Sequence, residues 1–200
     1  MKKSVIFGIG LLMSILITNF SAVVRDGRNL DGLRNSVLRL HILANSDSEH
    51  DQNLKIKVRD ALLESDIFDN ADSLETAEKI AQDNLDKIVE TAENVLSENG
   101  CNLPVTAEIA DVVFDERVYG DITMPSGEYR ALRVKIGLAE GKNWWCVMYP
   151  PLCIPAACDV VEDKSAEEVF SESELDIMYH PKKYEVRFAI WDKIKEILAD

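Results

Sequence analysis

Val37-Leu38-Arg39-Leu40-His41-Ile42-Leu43-Ala44-Asn45-Ser46-Asp47-Ser48-Glu49 is the stretch on which the reading of this chain turns. Leu38, Leu40 and Ile42 alternate with Arg39 and His41, the period-two pattern of a strand covered on one face. Turn formers follow. Ser46 and Glu49 stand at capping-box spacing, and Asp47 and Glu49 are placed to meet the positive end of a helix. The pattern predicts a strand over 37–43 and a helix over 47–64, with Leu54, Val58, Ala61 and Leu62 as its apolar stripe.

Downstream, Asp72 and Glu75 repeat the capping pattern and open one long helix through Leu74, Ala77, Ala81, Leu85, Ile88, Ala92 and Val95, closed by Asn99-Gly100. Strand character returns over 105–114, 129–136 and 144–149, and 137–143 is predicted to join the last two as a hairpin. Tyr119-Gly120 and Pro125-Ser126-Gly127 mark turns in the polar arm between the first two. Pro150-Pro151 stops the last strand, because proline cannot donate to a ladder. Residues 159–182 read as an acidic, partly ordered loop. Residues 184–198 read as a helix through Val186, Ile190, Trp191, Ile194, Ile197 and Leu198, with a strand start through Tyr184, Val186 and Phe188 as the alternative. The order β-α-α-β-β-β-α, with no repeating βα unit, predicts an α+β fold: a mainly antiparallel four-stranded sheet with helices packed on one face.

At the other end, Lys2 and Lys3 precede an apolar run, and no charge occurs between Ser4 and Val24. A basic start followed by an apolar core marks a signal peptide or membrane anchor over 1–24, since about 20 residues span a bilayer core. The lysines hold the N-terminus in the cytoplasm, so the rest of the chain is expected outside it. Residues 25–35, rich in Arg, Asp and Gly, read as a linker, and 36–198 as a single extracytoplasmic domain. The chain carries 22 Lys and Arg against 36 Asp and Glu, a net charge of −14. Nucleic acid needs a basic face and is excluded as an expected partner.

Two constellations are candidates for chemistry. Arg39 and His41 lie on one strand face and lead into Asn45, Ser46, Asp47 and Asp51, where His41 would be a base or, more simply, a strand histidine beside turn and cap residues. Trp144-Trp145-Cys146 is followed by Tyr149-Pro150-Pro151 and Cys153. A Cys146–Cys153 disulfide across this bend is sterically reasonable in an oxidising compartment, and a reactive Cys146 is the alternative. The aromatic and proline-rich bend also makes an interface anchor. No zinc-ligand spacing, glycine-rich phosphate loop, protease signature or nucleophile elbow occurs. These spacings assign no metal or cofactor, and the missing motifs lower the odds of an enzyme without excluding one.

Arg39-Leu40-His41-Ile42-Leu43-Ala44-Asn45-Ser46-Asp47-Ser48, Asp51-Gln52, Leu54-Lys55-Ile56-Lys57-Val58-Arg59-Asp60, Gly127-Glu128-Tyr129-Arg130-Ala131-Leu132-Arg133-Val134, and the segment from Asn143 to Cys153 together resemble the stage II sporulation protein R family over roughly residues 36–155. The resemblance implies an exported, non-catalytic sporulation signal released into the space between the two sporangial membranes, or tethered there by the N-terminal helix. Its implied partner is a membrane-embedded aspartic protease that processes pro-sigma-E in the mother cell. Contact would then fall on Arg39, His41, Asn45, Ser46, Asp47 and Asp51, and on Trp144, Trp145, Tyr149, Pro150 and Pro151. The alternative from the residues alone is an exported hydrolase or thiol-dependent enzyme using His41 and Cys146.

Overall fold

The computed structural model describes residues 2–65, 67, 71, 73–150 and 169–199. In chain order its elements are α1 (Lys2–Arg34), β1 (Leu38–Leu43), α2 (Glu49–Leu63), α3 (Leu74–Asp83), α4 (Leu85–Glu98), β2 (Val105–Phe114), β3 (Arg117–Tyr119), β4 (Ile122–Met124), β5 (Gly127–Ile136), β6 (Asn143–Tyr149), α5 (Glu172–Tyr179) and α6 (Glu185–Ala199). The main sheet has the strand order β2-β5-β1-β6, and β3 and β4 form a separate two-stranded ribbon. The fold is α+β around four strands, as the sequence predicts. β2–β5 and β1–β6 are antiparallel, while β1 and β5 run parallel, so the sheet is mixed.

That parallel pairing corrects the predicted hairpin. β1 lies between β5 and β6, so residues 137–142 cross the end of β1 instead of folding β6 back onto β5. The crossing is built on the turn after β1. Gly141 N–H donates to Ala44 O at 2.9 Å, and the Leu138 and Lys142 amides donate to the side chains of Asn45 (3.0 Å) and Asp47 (2.6 Å). Gly137 adopts φ 57°, a conformation that favours glycine, and a Cβ on Gly141 would collide with the Ser46 carbonyl.

β1 is buried along its whole length. Leu38, Leu40 and Ile42 meet Leu54, Val58 and Leu62 of α2, Ala77 and Ala81 of α3, and Ile88, Ala92 and Leu96 of α4 in one core. On the opposite face, Ala131 and Tyr129 of β5 and Val147 of β6 join a second core with Leu30 and Leu33 of α1, Ile122 and Met124 of β4, Ile177 and Met178 of α5, and Phe188 of α6. The strand predicted to be covered on one face is therefore covered on both. The second cover comes from segments remote in sequence.

Helix boundaries follow local chemistry. Ser48 caps α2, accepting from the Asp51 amide at 3.1 Å, while Ser46 donates to the Asp51 carboxylate at 2.6 Å. The long helix expected after residue 72 is two helices divided at Asn84, whose side chain donates to Ile80 O at 2.8 Å. Ser171 and Glu174 make a complete capping box for α5, so part of the region expected as an acidic loop is helical; residues 159–168 of it lie outside the described residues.

Residues 25–34, expected as a linker, are the last turns of α1. Ile6, Phe7, Leu11, Leu12, Leu16 and Phe20 are exposed on its first half, and the helix is long and apolar enough to cross a membrane. From Val23 onward it packs into the body: Leu30 and Leu33 are fully buried, Asp26 pairs with Arg187, Asp31 accepts from Trp191 Nε1 at 3.0 Å, and Arg34 pairs with Asp192 at 2.9 Å. α6 thus presents Phe188 and Trp191 inward, next to Tyr184 just before it, while Val186, Ile190, Ile197 and Leu198 of its predicted apolar stripe are exposed.

Candidate functional site: the β1–β6 seam and its two ends

Pairing in β1–β6 decides which candidate residues meet. His41 is opposite Trp145, Ile42 opposite Trp144 and Leu43 opposite Asn143, whereas Leu38 is opposite Tyr149. Asn45, Ser46, Asp47 and Asp51 therefore gather at the Asn143 end of the seam. Tyr149 and the buried Pro150 lie at the other end, with Met148 the extra residue where the register shifts between Leu38 and Arg39. Pro151 and Cys153 are outside the described residues.

Arg39 and His41, expected to present a polar face, are interior groups. Arg39 is fully buried beneath the small ribbon: Nη2 donates to Tyr119 Oη at 2.6 Å, Nε donates to Cys146 O at 3.4 Å, and the guanidinium lies 4.0 Å from the Phe114 ring centre. Burial lowers its pKa from the usual arginine value, and the hydroxyls of Tyr119 and Tyr129 oppose that shift. His41 stacks on Trp145 with ring centres 4.2 Å apart and planes 9° from parallel. Burial, then the charge of Arg133, pushes its pKa down to about 4, so the ring is neutral at pH 7. Neither residue has the exposure that a partner contact requires.

The turn at the Asn143 end is a network in which almost every polar group is committed. Asn45 Nδ2 donates to Asp51 at 2.8 Å while its Oδ1 receives the Leu138 amide, and Gln52 Nε2 donates to Ser46 O at 2.9 Å. The Asp51 carboxyl is held below the usual range by the hydrogen bonds from Ser46 and Asn45. Lys55, a residue the sequence reading did not single out, is buried and donates to Gln52 Oε1 at 2.6 Å and Lys142 O at 2.9 Å. Asp47, Ser48, Glu49 and His50 are the residues this turn leaves exposed.

Trp144 and Trp145 point to opposite faces of β6. Trp144 carries the Arg59 guanidinium 4.3 Å from its ring centre on the α2 face. Trp145 meets Phe114 and His41 on the other face, with Arg117 5.7 Å away. A cleft of about 800 Å³ runs beside them, lined by Asp115, Arg117, Val118, Tyr119 and residues 142–146. Arg117, Tyr119 and Lys142 are the functional candidates that sequence reasoning missed. Arg117 and Tyr119 stand in a polar arm between strands, and Lys142 in the 137–143 connection; neither segment reveals in its sequence where it folds.

Cys146 is opposite Leu40 and belongs to the core that α2, α3 and α4 cover, so it faces away from His41 across the sheet. The proposed His41–Cys146 pair is not assembled. Cys146 is disulfide-bonded, and because Cys153 lies outside the described residues the expected Cys146–Cys153 pairing is not placed. Cys101 is a free, half-buried cysteine, and among the described residues no group of acids, histidines and cysteines has the geometry of a metal site.

Comparison with known proteins places this arrangement. The family profile described as stage II sporulation protein R matches residues 34–159. A curated relative, stage II sporulation protein R of Bacillus subtilis (strain 168), is 34% identical over 146 residues, covering 70% of this chain. The match spans 65% of the relative's own length. No solved structure matches. The matched segment begins at the last residue of α1 and contains the whole main sheet, the interlocked turn and the tryptophan pair, and on that evidence the chain belongs to the stage II sporulation protein R family.

Proposed function

We propose that the chain is an exported sporulation signal that activates a membrane-embedded aspartic protease, which then removes the inhibitory pro-sequence of sigma-E in the mother cell, and that it does so by binding. Family membership over residues 34–159 is the observation that carries this reading. An apolar N-terminal helix continuous with the body supports it, because it gives the chain a means of reaching or holding the far side of a membrane. The body acts there as a shaped surface. A signal of this kind shifts its receptor only by binding the active state more tightly than the inactive one, and a tenfold shift takes about 1.4 kcal/mol.

The exposed part of the interlocked turn, Asp47 to His50, and the cleft beside Trp144 and Trp145 form the contact region in this reading; Arg39, His41 and Asn45 hold it in shape. The predicted Cys146–Cys153 disulfide would fix the far end of β6. The enzyme alternative loses its basis, since a stacked neutral His41 and a core-facing Cys146 lie on opposite sides of the sheet. Co-expression of the chain, the protease and the pro-sigma substrate tests the proposal. Processing should require the chain and survive His41→Gln, provided the variant folds. Processing that proceeds equally without the chain contradicts it.

A further inference from the structure

Adjacent residues of a strand point to opposite faces, so a cleft lined by residues 143–146 of β6 in succession meets the strand where its two faces join, at the edge. The cleft beside Trp144 and Trp145 touches residues 142–146, and it therefore runs along the edge of β6. β6 is the end strand of the sheet, with β1 on one side and no further strand on the other among the described residues. The opposite wall is the ribbon strand β3, where Val118 is exposed and Arg117 and Tyr119 flank it. The result, among the described residues, is a slot between a strand edge and a ribbon, bridged at one point by Tyr119 Oη donating to Trp145 O at 3.2 Å.

Its charge runs against that of the whole molecule. In a chain of net charge −14, the ionisable lining is two cations, Arg117 and Lys142, and one acid, Asp115, apart from Tyr119. Arg117 meets Asp115 only at 3.8 Å, and among the described residues Lys142 has no carboxylate partner. One donor of the lining, Arg117 Nε, has no acceptor among the described residues.

We infer that this slot binds an extended acidic segment of a partner protein, which adds as a strand to the outer edge of β6 and places its carboxylates against Arg117 and Lys142. Main-chain hydrogen bonds would supply affinity and the two cations selectivity. The inference rests on the binding role proposed above and names the chemistry of the contact.

The test uses the full chain in lipid nanodiscs and two fluorescein-labelled octapeptides, (Val-Glu)4 and (Val-Lys)4, with anisotropy reporting binding and amide hydrogen exchange reporting its place. The expected result is binding of (Val-Glu)4 alone, slowed exchange over 142–149, and at least tenfold weaker binding to the Arg117→Glu, Lys142→Glu double variant. Both substituted side chains reach solvent, and unchanged circular dichroism verifies the fold. No binding, protection elsewhere, equal binding of (Val-Lys)4, or undiminished binding to the variant overturns the inference. Sigma-factor processing is measured in parallel. If the variant loses peptide binding but keeps processing, the slot is not the partner contact and the inference falls while the proposed function stands. If the wild-type chain binds (Val-Glu)4 as expected but processing never depends on it, the proposed function fails and the slot's chemistry stands.

Discussion

His41 shows how a residue that reads as chemistry becomes architecture. Its alternation with Leu40 and Ile42 correctly placed it across the sheet from the aliphatic core, but a strand pattern cannot reveal what covers the second face. Here Trp145 and Phe114 cover it. With a folded pKa near 4 against an ordinary 6.5, the unfolded chain binds the proton more readily between those values, so stability rises with pH across that window and is lost as pH falls through it. A shift of that size corresponds to about 3 kcal/mol. Urea midpoints measured from pH 7 to pH 4 should fall in the native protein and fall less in His41→Phe, which keeps a ring on Trp145. Below pH 4, Asp176, held down to about 2 by Lys183 and Tyr184, extends the acid sensitivity.

At the scale of elements, the strands and most helices were legible because each has its own periodicity, whereas their partners were not. Nothing in residues 137–143 distinguishes a hairpin from a crossing over β1; the distinction lies in Asn45 and Asp47, some ninety residues earlier, which accept the loop's amides. Asn45→Ala removes a hydrogen bond to Asp51 and the acceptor for Leu138, and should destabilise the body by about 1 to 3 kcal/mol in equilibrium unfolding. The second misreading, residues 25–34 as a linker, arose because their charged residues suggested solvent. Asp26, Asp31 and Arg34 are instead matched to Arg187, Lys195 and Asp192 on α6, 160 or so residues away. Leu30→Ala should therefore cost about 2 to 5 kcal/mol, the loss expected of a buried leucine, where a true linker residue would cost almost nothing.

For the molecule as a whole, one helix carries both the membrane-compatible segment and two of the buried leucines of the second core, so the body and residues 6–20 are joined through one continuous helix. The candidate site was half legible. Its tryptophans and its turn were visible, but Arg117, Tyr119 and the slot they form depend on a ribbon folding beside β6, which local sequence does not encode. That continuity also gives α1 a structural role separable from export. A chain beginning at residue 36 should unfold at lower denaturant than one beginning at residue 23, since it lacks Leu30, Leu33 and Arg34. The central claim, activation by binding, is tested most directly by adding purified full-length chain to nanodisc-embedded protease and pro-sigma-E and measuring cleavage against chain concentration. Saturable, chain-dependent cleavage that persists in a Cys146→Ser variant shown to remain folded is the predicted result; cleavage at the same rate at every chain concentration, zero included, would contradict it.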